Sequence, residues 1–174
     1  MAPSGESLSR QNYAAESEAA INKQINIELY ASYVYLSMAA HFERDDVALP
    51  NIAKFLKKSS DEEREHAEGL IKFQNLRGGR VVFQNIDKPE KDEWGTALEA
   101  FQAVLALEKS NNKSLLELHA IGGKHNDTHL TTYIEDKYLL EQVRYPIMSL
   151  THRTIYRNQV IPYPISGRIN QSSS

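Results

Sequence analysis

The sequence predicts an all-α protein, a four-helix bundle with one long crossover between the second and third helices. Three observations predict it. Four long segments repeat apolar residues at helical spacing with no proline in their interiors. The stretch from Arg80 to Trp94 loses that periodicity and contains Pro89, so it reads as a connection long enough to let the flanking helices run parallel. No alternation of apolar and polar residues is long enough to build a sheet.

The first helix runs from about Asn12 to Phe42, a stretch rich in Ala, Glu, Ile and Leu with neither Gly nor Pro. Asp45-Asp46 mark a turn. Pro50 opens the second helix, because at the first turn a missing N–H costs no hydrogen bond. That helix reaches about Leu76 and ends at Gly78-Gly79. In the crossover, Val81, Val82, Phe83 and Ile86 sit among polar residues. The third helix spans about Thr96 to Ala120, ending before Gly122-Gly123, and the fourth runs from near Asp127 at least to Arg144. Ser59 to Glu62 matches the letters of a capping box but lies inside a helix, where it caps nothing.

A chain of 174 residues suffices for one domain with a sizeable core. Its net charge of -3, with no basic stripe, argues against a nucleic-acid partner. The absence of cysteine removes disulfides and thiolate metal sites, so any metal must be held by Glu, Asp or His, which suits iron, manganese or zinc. Met1 to Arg10 is polar, without an apolar signal region, and no run approaches membrane-spanning length. The expectation is a cytoplasmic protein with no membrane partner.

Each predicted helix carries a polar group where its buried stripe calls for an apolar one. On the first helix the stripe is Ile21, Ile25, Glu28, Ser32, Tyr35, Ala39. On the second it is Ile52, Phe55 or Leu56, Ser59, Glu63, His66, Leu70, Phe73. On the third it is Leu98, Phe101, Leu105, Glu108, Leu115, Leu118, and on the fourth Ile134, Tyr138, Gln142. Singly, a mid-helix Glu is more often solvated or ion-paired, a His satisfied, and a Tyr ordinary packing. Together, three carboxylates and an imidazole at mid-bundle are tolerable only if cations neutralise them. Glu63 and His66, three residues apart on one face, form the Glu-x-x-His half-motif of carboxylate di-iron bundles.

Longer runs then identify a family. Arg10 to Tyr13, Ile27 to Met38, Asp61 to Glu68, Arg77 to Arg80 and Ser114 to His119 resemble ferritin of the heavy-chain, ferroxidase-active type, a family the di-iron bundle pattern itself includes. The resemblance covers about residues 10 to 143. It implies two irons per subunit. Glu28, Glu63 and His66 match the tighter iron site, Glu63 bridges to a second iron that Glu108 also binds, and Tyr35 and Gln142 match catalytic-site residues that hydrogen-bond beside the pair. It further implies oxidation of Fe(II) by dioxygen and storage of Fe(III) as mineral in a 24-subunit cage, alone or mixed with other subunits. Glu62, Glu65 and Glu68 match an acidic patch proposed to nucleate mineral, although a solvated acidic face explains them equally well. Glu63 separates this chain from light-chain members, which lack the constellation. The fourth helix reads Gln142-Val143-Arg144-Tyr145 rather than a second Glu-x-x-His, so the second iron should bind more weakly.

Two departures stand out. Where family members place two acidic residues along a pore, this chain has Thr132 and Glu135, with His119, Asp127 and His129 as further pore candidates. After Arg144 the resemblance stops: Pro146, Pro162 and Pro164 oppose a regular continuation, and a fifth short helix is expected to be absent or altered. A changed reading frame or alternative exon would account for such a tail. The expected organisation is a disordered segment over residues 1–10, the bundle over 11–157 and an irregular tail over 158–174. A non-catalytic or assembly-defective partner subunit is the alternative function. A di-iron oxygenase fits less well, because only one Glu-x-x-His half is present.

Overall fold

In the computed structural model, residues 7–143 are described. Arg144 and all that follows lie outside the described residues, so the expectations for Pro146, Pro162, Pro164, a fifth helix and the tail fall there, as does the segment 1–6. The described residues form a four-helix bundle with no strand: α1 (Ala15–Glu43), α2 (Pro50–Leu76), α3 (Ala97–Lys124) and α4, which begins as Thr128–Ile134. α4 then widens into a π-helical turn over Glu135–Leu139 and resumes as α-helix to residue 143. α1 packs on both α2 and α3, and α3 packs on α4.

The ends of the helices follow local chemistry. α1 starts three residues later than expected, because Asn12 takes a left-handed φ of 46° and Ala14 is extended. Ahead of it, residues 7–10 form a turn closed by Arg10 N–H to Ser7 O at 2.9 Å. Pro50 occupies the first turn of α2, as its missing N–H allows. α3 opens on a complete capping box, with Thr96 and Glu99 satisfying each other's backbone N–H groups. By contrast, Ser59 lies buried in mid-helix.

α3 does not stop before Gly122-Gly123 but runs on to Lys124. Gly122 is there for packing: a Cβ would come 3.1 Å from Thr131 and 3.2 Å from Leu130, so glycine lets α3 and α4 approach. The left-handed residue that ends the helix is Asn126, at φ 54°. Leu98, expected in the core, is half exposed. It lies on the first turn of α3, and Ala100, Phe101 and Val104 face inward instead.

The crossover runs along α1 as a strap. Asn22 Nδ2 donates to Arg80 O (3.0 Å) while its Oδ1 accepts from Val82 N–H (3.1 Å), and Asn26 Nδ2 donates to Asn85 O (3.0 Å). Farther along, Trp94 Nε1 donates to Ser37 Oγ (3.0 Å). Side chains thus satisfy backbone groups that have no helical partner.

The apolar core is divided in two. One cluster contains Tyr35, Met38, Phe42, Ile52, Leu56, Trp94, Phe101 and Val104. The other contains Ile21, Ile25, Leu70, Leu115, Leu118, Leu130, Ile134 and Tyr138. The polar positions of α1, α2 and α3 fall between these stretches in sequence, so the bundle has a polar waist. There Ser32 and Ser60 cross-link α1 to α2, each hydroxyl donating to the other residue's carbonyl, at 2.7 and 2.8 Å.

Candidate metal centre

Glu28 of α1 and Glu63 of α2 are buried in this waist, and His66 is half-buried beside them. Each offers a ligand atom, and the three atoms lie within 4.8 Å of one another. A single cation about 2.0–2.2 Å from each ligand needs only a small closing of that triangle. His66 Nε2 is 2.9 Å from a Glu141 carboxylate oxygen, and its Nδ1 is 3.5 Å from Glu63 Oε2. With Nε2–H donating to Glu141, the Nδ1 lone pair is left facing the carboxylates, the orientation a metal-binding imidazole requires.

Glu108 of α3 is also buried but stands apart from that trio. Tyr35 OH donates to one of its oxygens, and Gln142 Nε2 to the other at 2.8 Å. Glu28 is held on both oxygens as well, by Gln24 Nε2 at 2.7 Å and Asn111 Nδ2 at 2.9 Å.

Three buried carboxyls so close together favour a cation among them. Burial, and then the Glu63 carboxylate, hold the Glu28 carboxyl well above the usual carboxylate range. Burial, followed by Glu108, pushes Glu63 up to about 8, against a hydrogen bond from Glu28. Burial also raises Glu108, against the hydrogen bonds from Tyr35 and Gln142. Among the described residues, the hydrogen-bond partners of these carboxylates are neutral amides, a phenol, an imidazole and one another. Hard oxygen donors with one nitrogen, arranged so, fit a divalent or trivalent first-row ion such as iron.

The π turn brings α4 into the site. Tyr138, buried within it, donates from OH to His66 O at 3.0 Å and pins α4 to α2. Gly69 makes room for this: a Cβ there would lie 2.8 Å from Tyr138 OH and 3.2 Å from Tyr133 OH. Immediately after the turn, Glu141 and Gln142 reach His66 and Glu108 respectively.

The remaining predicted residues are placed elsewhere. Glu62 is half-buried and paired with Lys58 at 2.8 Å, while Glu65 and Glu68 are exposed on α2. His119 Nε2 lies 2.6 Å from Glu135 Oε1, so those two pore candidates meet. Asp127 does not join them: it is buried, accepts from Leu130 N–H as the cap of α4, and pairs with Arg77 at 2.8 Å. His129 and Thr132 line a separate open groove with Lys72, Arg77, Tyr133 and Lys137. Sequence reasoning missed Gln24, Asn111, Ser114, Tyr138's hydroxyl contact and Glu141. Gln24 stands four residues before Glu28 and Asn111 three after Glu108, so helical spacing already put both on the site faces.

Fold and site together define a helical bundle with a carboxylate–histidine cluster at its waist that could hold a metal ion. A ferritin-like domain model matches residues 18–146. Soma ferritin of Lymnaea stagnalis is 61% identical over 138 residues, covering 79% of this chain and 79% of that protein. The middle subunit of ferritin from Aquarana catesbeiana is 58% identical over 135 residues, 78% of this chain and 77% of that one. The chain belongs to the ferritin family, and membership supports iron binding and storage as its general role. No helix among the described residues is long and apolar enough to cross a membrane.

Proposed function

We propose that the chain is a ferroxidase-type ferritin subunit of the heavy-chain kind, which oxidises Fe(II) with dioxygen inside its own bundle and passes Fe(III) to a stored mineral. The observation that carries this is the Glu28–Glu63–His66 trio with Glu108 beside it, three buried carboxylates with no Lys or Arg among their hydrogen-bond partners in the described residues. Glu28, Glu63 and His66 take the first Fe(II), and Glu63 and Glu108 take the second. Burial raises the proton affinity of all three carboxyls, so iron and protons compete for them. Each Fe(II) gives one electron and dioxygen accepts both, so no side chain need act as nucleophile or electron donor. Charged oxygen donors hold Fe(III) better than Fe(II), which favours the oxidation.

Tyr35 and Gln142 orient Glu108, and Glu141 orients His66, through the hydrogen bonds described above. Because α4 supplies Gln142 rather than a charged ligand, the second iron is held more weakly and leaves more readily. Glu62, Glu65 and Glu68 are the candidates for mineral nucleation. Iron entry is assigned to His119 and Glu135, with Thr132 neutral where a carboxylate would help; buried Asp127 is left out. The Aquarana catesbeiana relative is a subunit by name, and this chain likewise assembles with copies of itself or with related subunits into a cage, in the cytoplasm.

The test is Glu63→Lys combined with His66→Gly. Stopped-flow Fe(II) oxidation should lose its fast phase, while circular dichroism shows the helices retained. A folded double variant that oxidises Fe(II) at the unmodified rate would remove the assignment.

A further inference from the structure

Glu28 is held by a relay that the oxidation chemistry above does not use. Ser114 Oγ donates to Gln24 Oε1 at 2.7 Å. Gln24 Nε2 then donates twice, to Glu28 Oε1 at 2.7 Å and to Asn111 Oδ1 at 2.6 Å. Asn111 Nδ2 completes the chain at Glu28 Oε2, 2.9 Å away. Gln24 and Asn111 are almost wholly buried, so these amides depend on one another and on Glu28 and Ser114 for their hydrogen bonds.

With Glu28 ionised, as a metal ligand must be, the orientation of each amide follows. Glu28 accepts on both oxygens, so each amide must present its NH2 to it. The Asn111 carbonyl then points to Gln24 and accepts from its Nε2. Gln24 in turn offers its carbonyl to the Ser114 hydroxyl. Reversing either amide would set two acceptors face to face in a buried layer, at a cost of the order of a lost buried hydrogen bond.

The arrangement mirrors the one at Glu108. There α1 supplies Tyr35 to hold a carboxylate of α3; here α3 supplies Asn111 to hold a carboxylate of α1. The two helices thus brace each other's acidic groups. The two amide donors at Glu28 are neutral, so they fix the carboxylate without supplying positive charge that would compete with a cation.

We infer that Asn111 and Gln24 are positioning residues for iron, an amide pair anchored by Ser114 that locks the Glu28 carboxylate and so sets how tightly and in what geometry it engages the metal. The inference rests on Glu28 being a ligand, as proposed above.

Co(II), added without oxygen to the full-length protein and followed by its visible absorption, reads coordination directly. Asn111→Leu keeps the volume and removes the donor. It should weaken Co(II) binding about 10–100-fold, the usual effect of losing a group that orients a ligand, and change the intensity of the visible band while the helical signal stays intact. Folded Asn111→Leu with unmodified affinity and spectrum overturns the inference. Should that variant fail to fold, Gln24→Met decides in the same way: a changed band supports the relay and an unchanged one overturns it. Glu28→Ala separates this idea from its foundation. Co(II) binding lost in Glu28→Ala but normal in Asn111→Leu removes the positioning role alone. Binding retained in Glu28→Ala removes the site assignment as well.

Discussion

A Glu63 carboxyl that keeps its proton up to about pH 8 ties folding to the group proposed to bind iron. Its folded pKa is raised above the ordinary carboxylate value of 4.5, so its stabilising contribution is complete below that value and is lost as pH rises through about 8. Surface carboxylates such as Glu16, Glu18 and Glu99 are shifted downward instead, and are already ionised above pH 6. Metal-free protein should therefore melt at a lower temperature at pH 8.5 than at pH 6, and Glu63→Gln should flatten that slope. Saturating Zn(II) should reverse it, because metal binding gains as the ligands deprotonate. Differential scanning calorimetry on the three samples checks this, and a metal-free melting temperature equal at both pH values would contradict the raised pKa. At this scale the sequence was readable wherever a charged residue interrupted an apolar stripe: Glu28, Glu63 and Glu108 are all buried. It was silent on Asn111 and Gln24, because a neutral amide on a helix face has many unremarkable explanations and only its partners across the bundle give it a role.

At the scale of elements, α4 explains both a success and an omission. Its inward residues Ile134, Tyr138 and Gln142 follow one another at steps of four. In an α-helix each such step overshoots a full turn by about 40°, and the stripe would drift away from the core. The π-helical turn at Glu135–Leu139 takes more residues per revolution and absorbs that drift, so Tyr138 stays buried and Gln142 still reaches Glu108. The stripe was legible while its unusual spacing went unread. Helix starts teach a related lesson. Ser59 to Glu62 and Thr96 to Glu99 carry the same kind of letters, yet only the second opens a helix, since a cap acts only where N–H groups lack partners. Thr96→Ala should cost about 1 kcal/mol in denaturant unfolding. Glu62→Ala, which breaks a solvent-screened pair with Lys58, should leave the denaturant midpoint essentially unchanged. Equal losses would mean the local hydrogen bonds at Thr96 do not govern the start of α3.

For the whole molecule, the strap over α1 leaves apolar side chains in solvent. The crossover follows α1 through Asn22, Asn26 and Ser37, and Tyr30 on that side has its hydroxyl pKa raised by burial and by Glu90 and Asp87 of the strap. Yet on the same side Tyr33 and Leu36 are each 44% exposed, and Val82, Phe83 and Ile86 are 57%, 67% and 41% exposed. Isolated apolar residues at a surface need no explanation, but several along one helix and its strap favour contact with another chain. A second copy is the occupant that cage assembly would supply. The full-length protein should then elute as a large closed oligomer, with its mass set by light scattering. Leu36→Glu with Phe83→Glu would bury like charges in such a contact, and should shift the mass to smaller species while leaving helicity and Co(II) binding at the intra-bundle site unchanged. Glutamates tolerated at full oligomer mass would place the contact elsewhere on the surface. An unmodified chain that stays a monomer or dimer would favour the partner-subunit alternative, with the fold and the metal centre present but no cage closed by this chain alone.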